Sequence, residues 1–163
     1  RNYTVKDYMN IAEYIRKKLP GASLTTDIIA GFPGETEEDM QNTLKLMELV
    51  RFDSAFTFKY SAREKTRASL MKNQIEEWVK DKRLEKLMKT QEKISKKKNS
   101  ALIGERVEIL VENTYIRDGE SMISGRTSAN KIVNAEGQAL KGDFIDVEIT
   151  KATPHSLVGE KVS

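Results

Sequence analysis

Residues 24–36 read LTTDIIAGFPGET, and they set the architecture of the first part of the chain. Residues 24–30 form a short apolar run rich in β-branched side chains, which is typical of a strand buried on both faces in a parallel sheet. Two glycines and a proline at residues 31–34 prevent the strand from continuing. Thr36 and Asp39 have the spacing of a helical capping box, so the stretch predicts a strand, a glycine loop and a helix.

The glycine loop lies where α/β proteins bind ligands. In such sheets the ligand crevice is at the carboxyl ends of the strands, which is where residues 31–34 are expected. Gly31 and Gly34 lack a Cβ, so their backbone N–H groups are able to approach a ligand closely. One glycine loop is nevertheless a weak motif, and a tight turn without a ligand is the alternative interpretation.

Helical and strand patterns extend this repeat on both sides. Upstream, Thr4 and Asp7 have the spacing of a second capping box, before a helix that a Pro-Gly pair ends. Downstream, a helix is predicted over 36–50 and a strand over 54–60, SAFTFKY. Because two strands do not form a stable sheet alone, residues 1–70 are expected to be the last units of a larger α/β barrel.

A basic helix follows. An apolar stripe that includes Trp78 and Met88 predicts one long helix over 74–98, within a connecting segment of residues 71–100. This segment carries ten Lys/Arg and five Asp/Glu, whereas residues 101–163 carry seven and ten. A basic segment suits a polyanion such as RNA, although solvated lysines and the helix dipole are sufficient to explain most of the excess.

Composition excludes several classes of function. The 163 residues include no cysteine, so the chain has no disulfide, thiolate nucleophile or cysteine-held metal site of its own. No apolar run approaches the length of a membrane-spanning helix. His155 is the only histidine and has no acidic cluster beside it, so no catalytic or metal-binding residue is predicted. The first residue is Arg1 rather than Met, which suggests a piece of a longer protein.

From residue 101 onward the pattern changes to short β-runs punctuated by glycines. Strands are expected at residues 106–111, 121–126, 131–135, 144–149 and 156–160. Five short strands in about 60 residues predict a small OB-like β-barrel over 101–163. Such barrels often bind looped or single-stranded RNA on one face.

Basic and amide side chains near the predicted strands are the candidate RNA contacts. Arg126, Asn130 and Lys131 flank the junction of the second and third barrel strands, and Arg63 follows the second α/β strand. Arginine and lysine bind phosphates, arginine through a planar fork. Because residues 101–163 carry a net charge of −3, any RNA contact there is expected to be local. A polar surface loop is the alternative interpretation for Arg63.

Four stretches resemble one enzyme family. Residues 24–36 (LTTDIIAGFPGET), 51–58 (RFDSAFTF), 60–63 (YSAR) and 125–134 (GRTSANKIVN) are similar to segments of the radical S-adenosylmethionine methylthiotransferases, the last to their carboxyl-terminal TRAM domain. The YSAR and NKIVN runs are closer to the tRNA-modifying MiaB type than to the sister enzymes that modify a ribosomal-protein aspartate. Asp27 and Gly34 stand where the general radical-enzyme pattern has a glycine and a glutamate.

The resemblance implies a fold and a reaction. The fold is α/β plus all-β, with the last units of a radical SAM (βα) barrel in residues 1–70, a long connecting helix and a TRAM β-barrel in residues 101–163. The reaction is methylthiolation of an isopentenylated adenosine beside the tRNA anticodon, in the cytoplasm, with S-adenosylmethionine and two [4Fe–4S] clusters. The cysteines that bind these clusters are expected in polypeptide N-terminal to Arg1, and the chain alone is expected to be inactive.

The resemblance also implies site residues and partners. In the family the glycine loop lies near the adenine of S-adenosylmethionine, which implies cofactor contacts by Ile29, Gly31, Phe32 and Gly34. The anticodon stem-loop of tRNA is the implied partner of Arg63, Arg126, Asn130 and Lys131. Part of a barrel would leave a sheet edge and apolar surface uncovered, which allows dimerisation of the piece.

Two other functions fit the same residues. One is a sister enzyme that acts on a ribosomal protein, and it would leave tRNA untouched. The other is a non-enzymatic RNA-binding module, which predicts that the natural gene begins near Arg1 with no cysteine-bearing region upstream. The codons upstream of Arg1 separate the methylthiotransferase from the binding module.

Overall fold

The computed structural model describes residues 3–162, which form two compact units. The α/β unit comprises the chain up to Pro20 and Leu24–Ile94, and the barrel unit comprises Gly21–Ser23 and the chain from Ser95. The first unit contains α1 (Val5–Lys18), β1 (Thr25–Ala30), α2 (Glu37–Val50), β2 (Ser54–Lys59), a 3₁₀ turn (Ala68–Leu70) and most of α3 (Glu77–Ser100). The barrel unit contains β3 (Arg106–Arg117), β4 (Glu120–Thr127), β5 (Ile132–Glu136), β6 (Phe144–Ala152) and β7 (Leu157–Lys161).

Both predicted capping boxes are present. Before α1, the Asp7 backbone N–H donates to Thr4 Oγ1 over 3.2 Å and the Thr4 N–H donates to the Asp7 carboxylate over 2.8 Å. Before α2, the same reciprocal pair joins Thr36 and Asp39 at 3.0 and 2.9 Å. Each box satisfies backbone N–H groups that have no partner inside the helix, so both helices begin where the sequence predicts.

The first two strands are parallel, as predicted, and pair from Thr25 with Ser54 to Ala30 with Lys59. The prediction that residues 24–30 are buried on both faces is wrong. Ile29, Phe56 and Phe58 alternate onto one face and are 52%, 60% and 52% exposed. Helices cover only the opposite face of the two strands. Within the described residues, no helix or strand packs against the face that carries these three side chains.

One apolar core holds the α/β unit together. It contains Ala12 of α1, Ala30 of β1, Phe52 before β2 and Leu87 of α3, together with Met40, Met47 and Val50 of α2. These three residues of α2 form its buried face. The apolar stripe predicted for α3 is only partly buried, because Trp78 and Met88, which belong to it, are 60% and 49% exposed.

The second unit is a closed five-stranded barrel, which confirms the predicted small β-barrel. Its strand order is β3-β4-β5-β7-β6, with β6 paired back to β3 and with β5 and β7 parallel. The interior is aliphatic and includes Ile109, Val111, Ile123, Val133, Val147, Ile149 and Leu157. β3 continues six residues beyond the predicted 106–111, because its polar half is held by pairing with β4 rather than by burial.

Candidate ligand loop and nucleic-acid interface

The backbone amides of the glycine loop are occupied by the chain itself. Gly31 and Gly34 both have positive φ, at 74° and 86°, which favours glycine at these positions. The Gly31 N–H donates to Glu35 Oε2 over 2.7 Å, and the Gly34 N–H donates to the carbonyl oxygen of Asn73 over 2.9 Å. These two groups are therefore not directed at a ligand.

The space beside each glycine is also occupied. A Cβ added to Gly31 would collide with the side chain of Lys80, and one added to Gly34 would collide with the amide of Asn73. The two glycines are required because the segment before α3 and the first turns of that helix lie directly against the loop. This close approach of the chain to itself is a sufficient reason for a glycine at both positions.

A buried ion pair fastens the loop to α3. Arg83 Nη1 lies 2.7 Å from Glu35 Oε2 and also donates to the Glu35 carbonyl oxygen over 3.0 Å. The two side chains are only 8% and 13% exposed. Glu35 Oε2 thus accepts from Arg83 and from the Gly31 N–H together, and this oxygen joins the loop, the start of α2 and α3.

The loop exposes apolar side chains rather than amides. Phe32 is 45% exposed and packs edge-on against Tyr60, with ring centroids 5.3 Å apart. The Lys80 ammonium lies 5.7 Å from the centroid of the Tyr60 ring. The Tyr60 hydroxyl is buried, and no hydrogen-bond partner for it exists within residues 3–162. Phe32 and nearby Ile29 are therefore the side chains of the predicted cofactor set that present an exposed surface.

Charged side chains at the end of β2 neutralise one another. Lys59 Nζ lies 2.7 Å from Glu77 Oε1 and 2.7 Å from Asp81 Oδ1. The hydrogen bonds that Lys59 donates to the carboxylates of Asp81 and Glu77 raise the pKa of Lys59 above its ordinary value, and the bond from Lys59 lowers the pKa of Glu77. Arg63 lies farther along, in the turn after β2, and its side chain is exposed. Arg63 thus belongs to the α/β unit, whereas the other predicted RNA contacts belong to the barrel unit.

In the barrel, Arg126 and Asn130 are bound to each other. Arg126 Nη1 donates to Asn130 Oδ1 over 3.1 Å, and Arg126 Nε lies 3.2 Å from Glu112 Oε2. Asn130 has a φ of 60°, in the left-handed region that asparagine tolerates in turns. The guanidinium fork is partly engaged by Glu112, so an RNA phosphate would compete with this carboxylate for Arg126.

Lys131 is held by a residue that the sequence did not single out. Lys131 Nζ donates to Asn99 Oδ1 over 2.8 Å, and Asn99 Nδ2 donates to the Thr153 carbonyl over 2.8 Å. Asn99 is only 5% exposed. A signal for it is present in the sequence, because Gln91, Ser95 and Asn99 continue the buried side of α3 at four-residue spacing.

No metal site or membrane span is found in the described part of the chain. Within residues 3–162, no three His, Cys, Asp or Glu side chains gather as metal ligands. None of the helices in that range is both long and apolar enough to cross a membrane. His155 lies in the turn between β6 and β7, where its backbone N–H donates to Thr153 Oγ1 over 3.1 Å.

Residues 100–162 match the family model of the TRAM domain. This range coincides with the barrel unit apart from the last residues of α3. The match agrees with the closed five-stranded barrel and with the resemblance in residues 125–134.

Similarity to curated proteins extends over both units. The chain is 45% identical to the tRNA-2-methylthio-N(6)-dimethylallyladenosine synthase of Acetivibrio thermocellus over 163 residues, which is 99% of this chain and 34% of that protein. The synthase of the same name from Fusobacterium nucleatum is 47% identical over 99% of this chain and 37% of its own length. The chain therefore spans about a third of the length of the curated relatives it matches. Identity at this level along both units shows that the chain is homologous to a segment of the tRNA-2-methylthio-N(6)-dimethylallyladenosine synthases, and residues 100–162 form a TRAM domain.

Proposed function

We propose that the chain is the carboxyl-terminal third of a radical S-adenosylmethionine methylthiotransferase that adds a methylthio group to isopentenylated adenosine beside the tRNA anticodon. The observation that carries the proposal is the identity of 45–47% over 98–99% of the chain with synthases named for this product. The α/β unit and the TRAM barrel occur together in the matched segment, so the likeness is not confined to a common RNA-binding module.

The α/β unit supplies the closing units of a radical SAM barrel in this proposal. Two observations support that role. A parallel pair of strands is smaller than the sheets of most globular proteins, which suits further strands beside β1 or β2. The uncovered face that carries Ile29, Phe56 and Phe58 has the apolar character of a barrel interior.

The chain has residues that suit S-adenosylmethionine but none that bind the iron–sulfur clusters. The chain has no cysteine, so it holds no ligand for the two [4Fe–4S] clusters, and the proposal assigns those ligands to polypeptide upstream. For S-adenosylmethionine, Ile29 and Phe32 fit as an exposed apolar surface, whereas the N–H groups of Gly31 and Gly34 are occupied. The proposal therefore has Ile29 and Phe32 line the cofactor site and has the two glycines shape the loop.

In the proposed reaction, the residues of this chain bind and orient S-adenosylmethionine and tRNA. S-adenosylmethionine, when bound, supplies the radical chemistry. Glu35 and Arg83 hold the loop that carries Phe32, and the exposed sheet face excludes water once the remaining barrel covers it. The TRAM domain binds the tRNA with Arg126, Asn130 and Lys131 as the proposed contacts, and Arg63 of the α/β unit is a further proposed contact.

The test uses the complete reading frame that contains this chain. It is expressed in a bacterial host whose own tRNA methylthiotransferase gene is deleted, and the nucleosides of its tRNA are identified by mass spectrometry. We expect the methylthio derivative of isopentenylated adenosine to appear, and to be lost when the upstream cysteines are replaced by alanine. A frame without upstream cysteines, or modification of a ribosomal protein with unmodified tRNA, would overturn the proposal.

A further inference from the structure

Charge is strongly segregated between the two ends of the barrel unit. Three segments at one end, residues 95–100, 127–131 and 151–156, contain five lysines and no Asp or Glu, and we call them the lysine end. At the opposite end, residues 117–120 and 136–143 contain two basic and four acidic residues. The net charge of −3 for residues 101–163 therefore conceals three segments that carry lysines and no carboxylate, although Glu105 lies in the connection between α3 and β3 at the same end.

The side chain of Asn99 draws the three segments together. It accepts a hydrogen bond from Lys131 Nζ over 2.8 Å and donates to the carbonyl oxygens of Thr153 and Pro154 over 2.8 and 3.4 Å. The last turn of α3 thereby contacts the β4–β5 loop and the β6–β7 loop at one buried amide. Lys131 is held in place by this contact before any ligand arrives.

Three other lysines of the lysine end are exposed. Lys96 and Lys97 precede Asn99 on α3, and Lys151 lies at the end of β6. Within residues 3–162, none of these three side chains has an ion-pair partner. The helix dipole accounts for a cation near the end of α3, but it does not account for the absence of carboxylates from the two loops.

We propose that the lysine end binds the phosphate backbone of RNA, with Lys96, Lys97 and Lys151 as contacts and with Asn99 positioning Lys131. The inference rests on the proposed function, because the TRAM domain is the reason for choosing RNA over another polyanion. It extends the RNA surface from the barrel loops onto the last turn of α3. Local phosphate contacts of this kind let a domain without a net positive charge bind RNA.

The experiment compares equal charge removal at the two ends of the barrel unit. The full 163-residue chain is titrated into a fluorescently labelled tRNA anticodon stem-loop at several salt concentrations, and anisotropy is measured. The test variant is Lys96→Ala/Lys97→Ala, and the matched control is Arg117→Ala/Lys141→Ala, which removes two charges from the opposite end. All four side chains are exposed, so we expect every variant to keep the circular dichroism spectrum of the wild type.

We expect the Lys96→Ala/Lys97→Ala variant to bind on the order of tenfold more weakly at low salt, and the slope of log K against log salt to shrink by about 1.4–1.8. Lys151→Ala should shrink the slope by about half as much, because one contact is lost. The control should match the wild type. Equal affinity for all proteins, or a larger loss in the control, would overturn the inference while leaving the methylthiolation test unaffected. Binding to anionic vesicles with no binding to the stem-loop would also overturn it.

Discussion

At the scale of single residues, glycines of both units allow other parts of the chain to approach closely, but the atoms that approach differ between the units. Gly31 and Gly34 combine a positive φ with close approach by Lys80 and Asn73, which are side chains able to move. Gly125 and Gly159 lie in barrel strands, where a Cβ would overlap the backbone carbonyl of Leu110 or Glu148. Backbone atoms of a closed barrel have little room to shift, so these two glycines tolerate substitution least.

We expect Gly125→Ala to lower the free energy of unfolding by more than about 2 kcal/mol, because the added methyl group overlaps a paired strand. The matched control is Gly21→Ala, since no heavy atom lies within 4 Å of the position where its Cβ would stand. Urea unfolding followed by circular dichroism measures both. A change below about 0.5 kcal/mol for Gly125→Ala would contradict the packing described for β3 and β4.

The Glu35–Arg83 pair gives a second prediction at this scale. Glu35→Ala should destabilise the chain by up to about 3–5 kcal/mol, because it removes the nearer carboxylate of the buried Arg83 guanidinium and leaves only Glu37 Oε2, 3.9 Å from Arg83 Nη2. The double variant Glu35→Gln/Arg83→Met should cost clearly less, since no unpaired charge remains and glutamine still offers an acceptor to the Gly31 N–H. Thermal and urea unfolding of the two proteins would refute this account if the double variant were the less stable one.

At the scale of elements, the helix starts are controlled locally and the burial of α3 is not. The capping boxes of α1 and α2 each involve residues three apart, so the sequence alone predicts them. The buried side of α3 includes Arg83, Gln91, Ser95 and Asn99, which no apolar pattern identifies. Partners distant in the sequence bind buried polar atoms of these side chains, for example the Phe52 carbonyl oxygen, which accepts a hydrogen bond from Gln91 Nε2.

The capping box of α2 predicts a pH dependence. Hydrogen bonds from the Thr36 N–H and hydroxyl lower the pKa of Asp39 below its ordinary value. A lowered folded-state pKa stabilises the fold above the unfolded value of about 3.9, and this contribution is lost as the pH falls through the folded value. We therefore expect Asp39→Asn to be less stable than the wild type at pH 7 and equally stable in strong acid.

The measurement is urea unfolding of both proteins from pH 7 down to the lowest pH at which the wild type remains folded. Thr36→Ala serves as a reference, and it should cost about 1 kcal/mol because the cap hydroxyl is lost. A stability difference between Asp39→Asn and the wild type that stays constant with pH would show that the Asp39 charge is irrelevant to the cap.

At the scale of the whole molecule, the two units differ in completeness. The barrel closes on itself and leaves no sheet edge, so its core needs nothing further. The α/β unit has a two-stranded sheet with one helix-covered face and one open face. Ile29, Phe56 and Phe58 are neighbouring exposed apolar side chains on this face, with Asp27 beside Phe56, and exposed apolar clusters of this kind mark association sites.

We expect the isolated 163-residue chain to self-associate through this surface, because association removes the three side chains from water. Phe56→Ser/Phe58→Ser should shift the chain towards monomer in sedimentation velocity experiments over a range of concentrations. Ile116→Ser/Leu140→Ser is the control, since it removes two apolar side chains of the barrel unit that are even more exposed, at 77% and 75%. A wild-type chain that stays monomeric, or a control with the same effect, would contradict the role of the sheet face.

Local patterns in the chain were sufficient to predict the helix starts, the order of strands and helices, the parallel pairing and the five barrel strands. Each of these depends on neighbours within a few residues or on a repeat with a short period, and such information is present in any single sequence. The partners of Glu35, Arg83, Asn99 and Lys131 were not predictable in this way, because those contacts join residues 32–54 positions apart. The same holds for the open face of β1, since burial depends on which layers the folded chain places against a strand rather than on the composition of that strand.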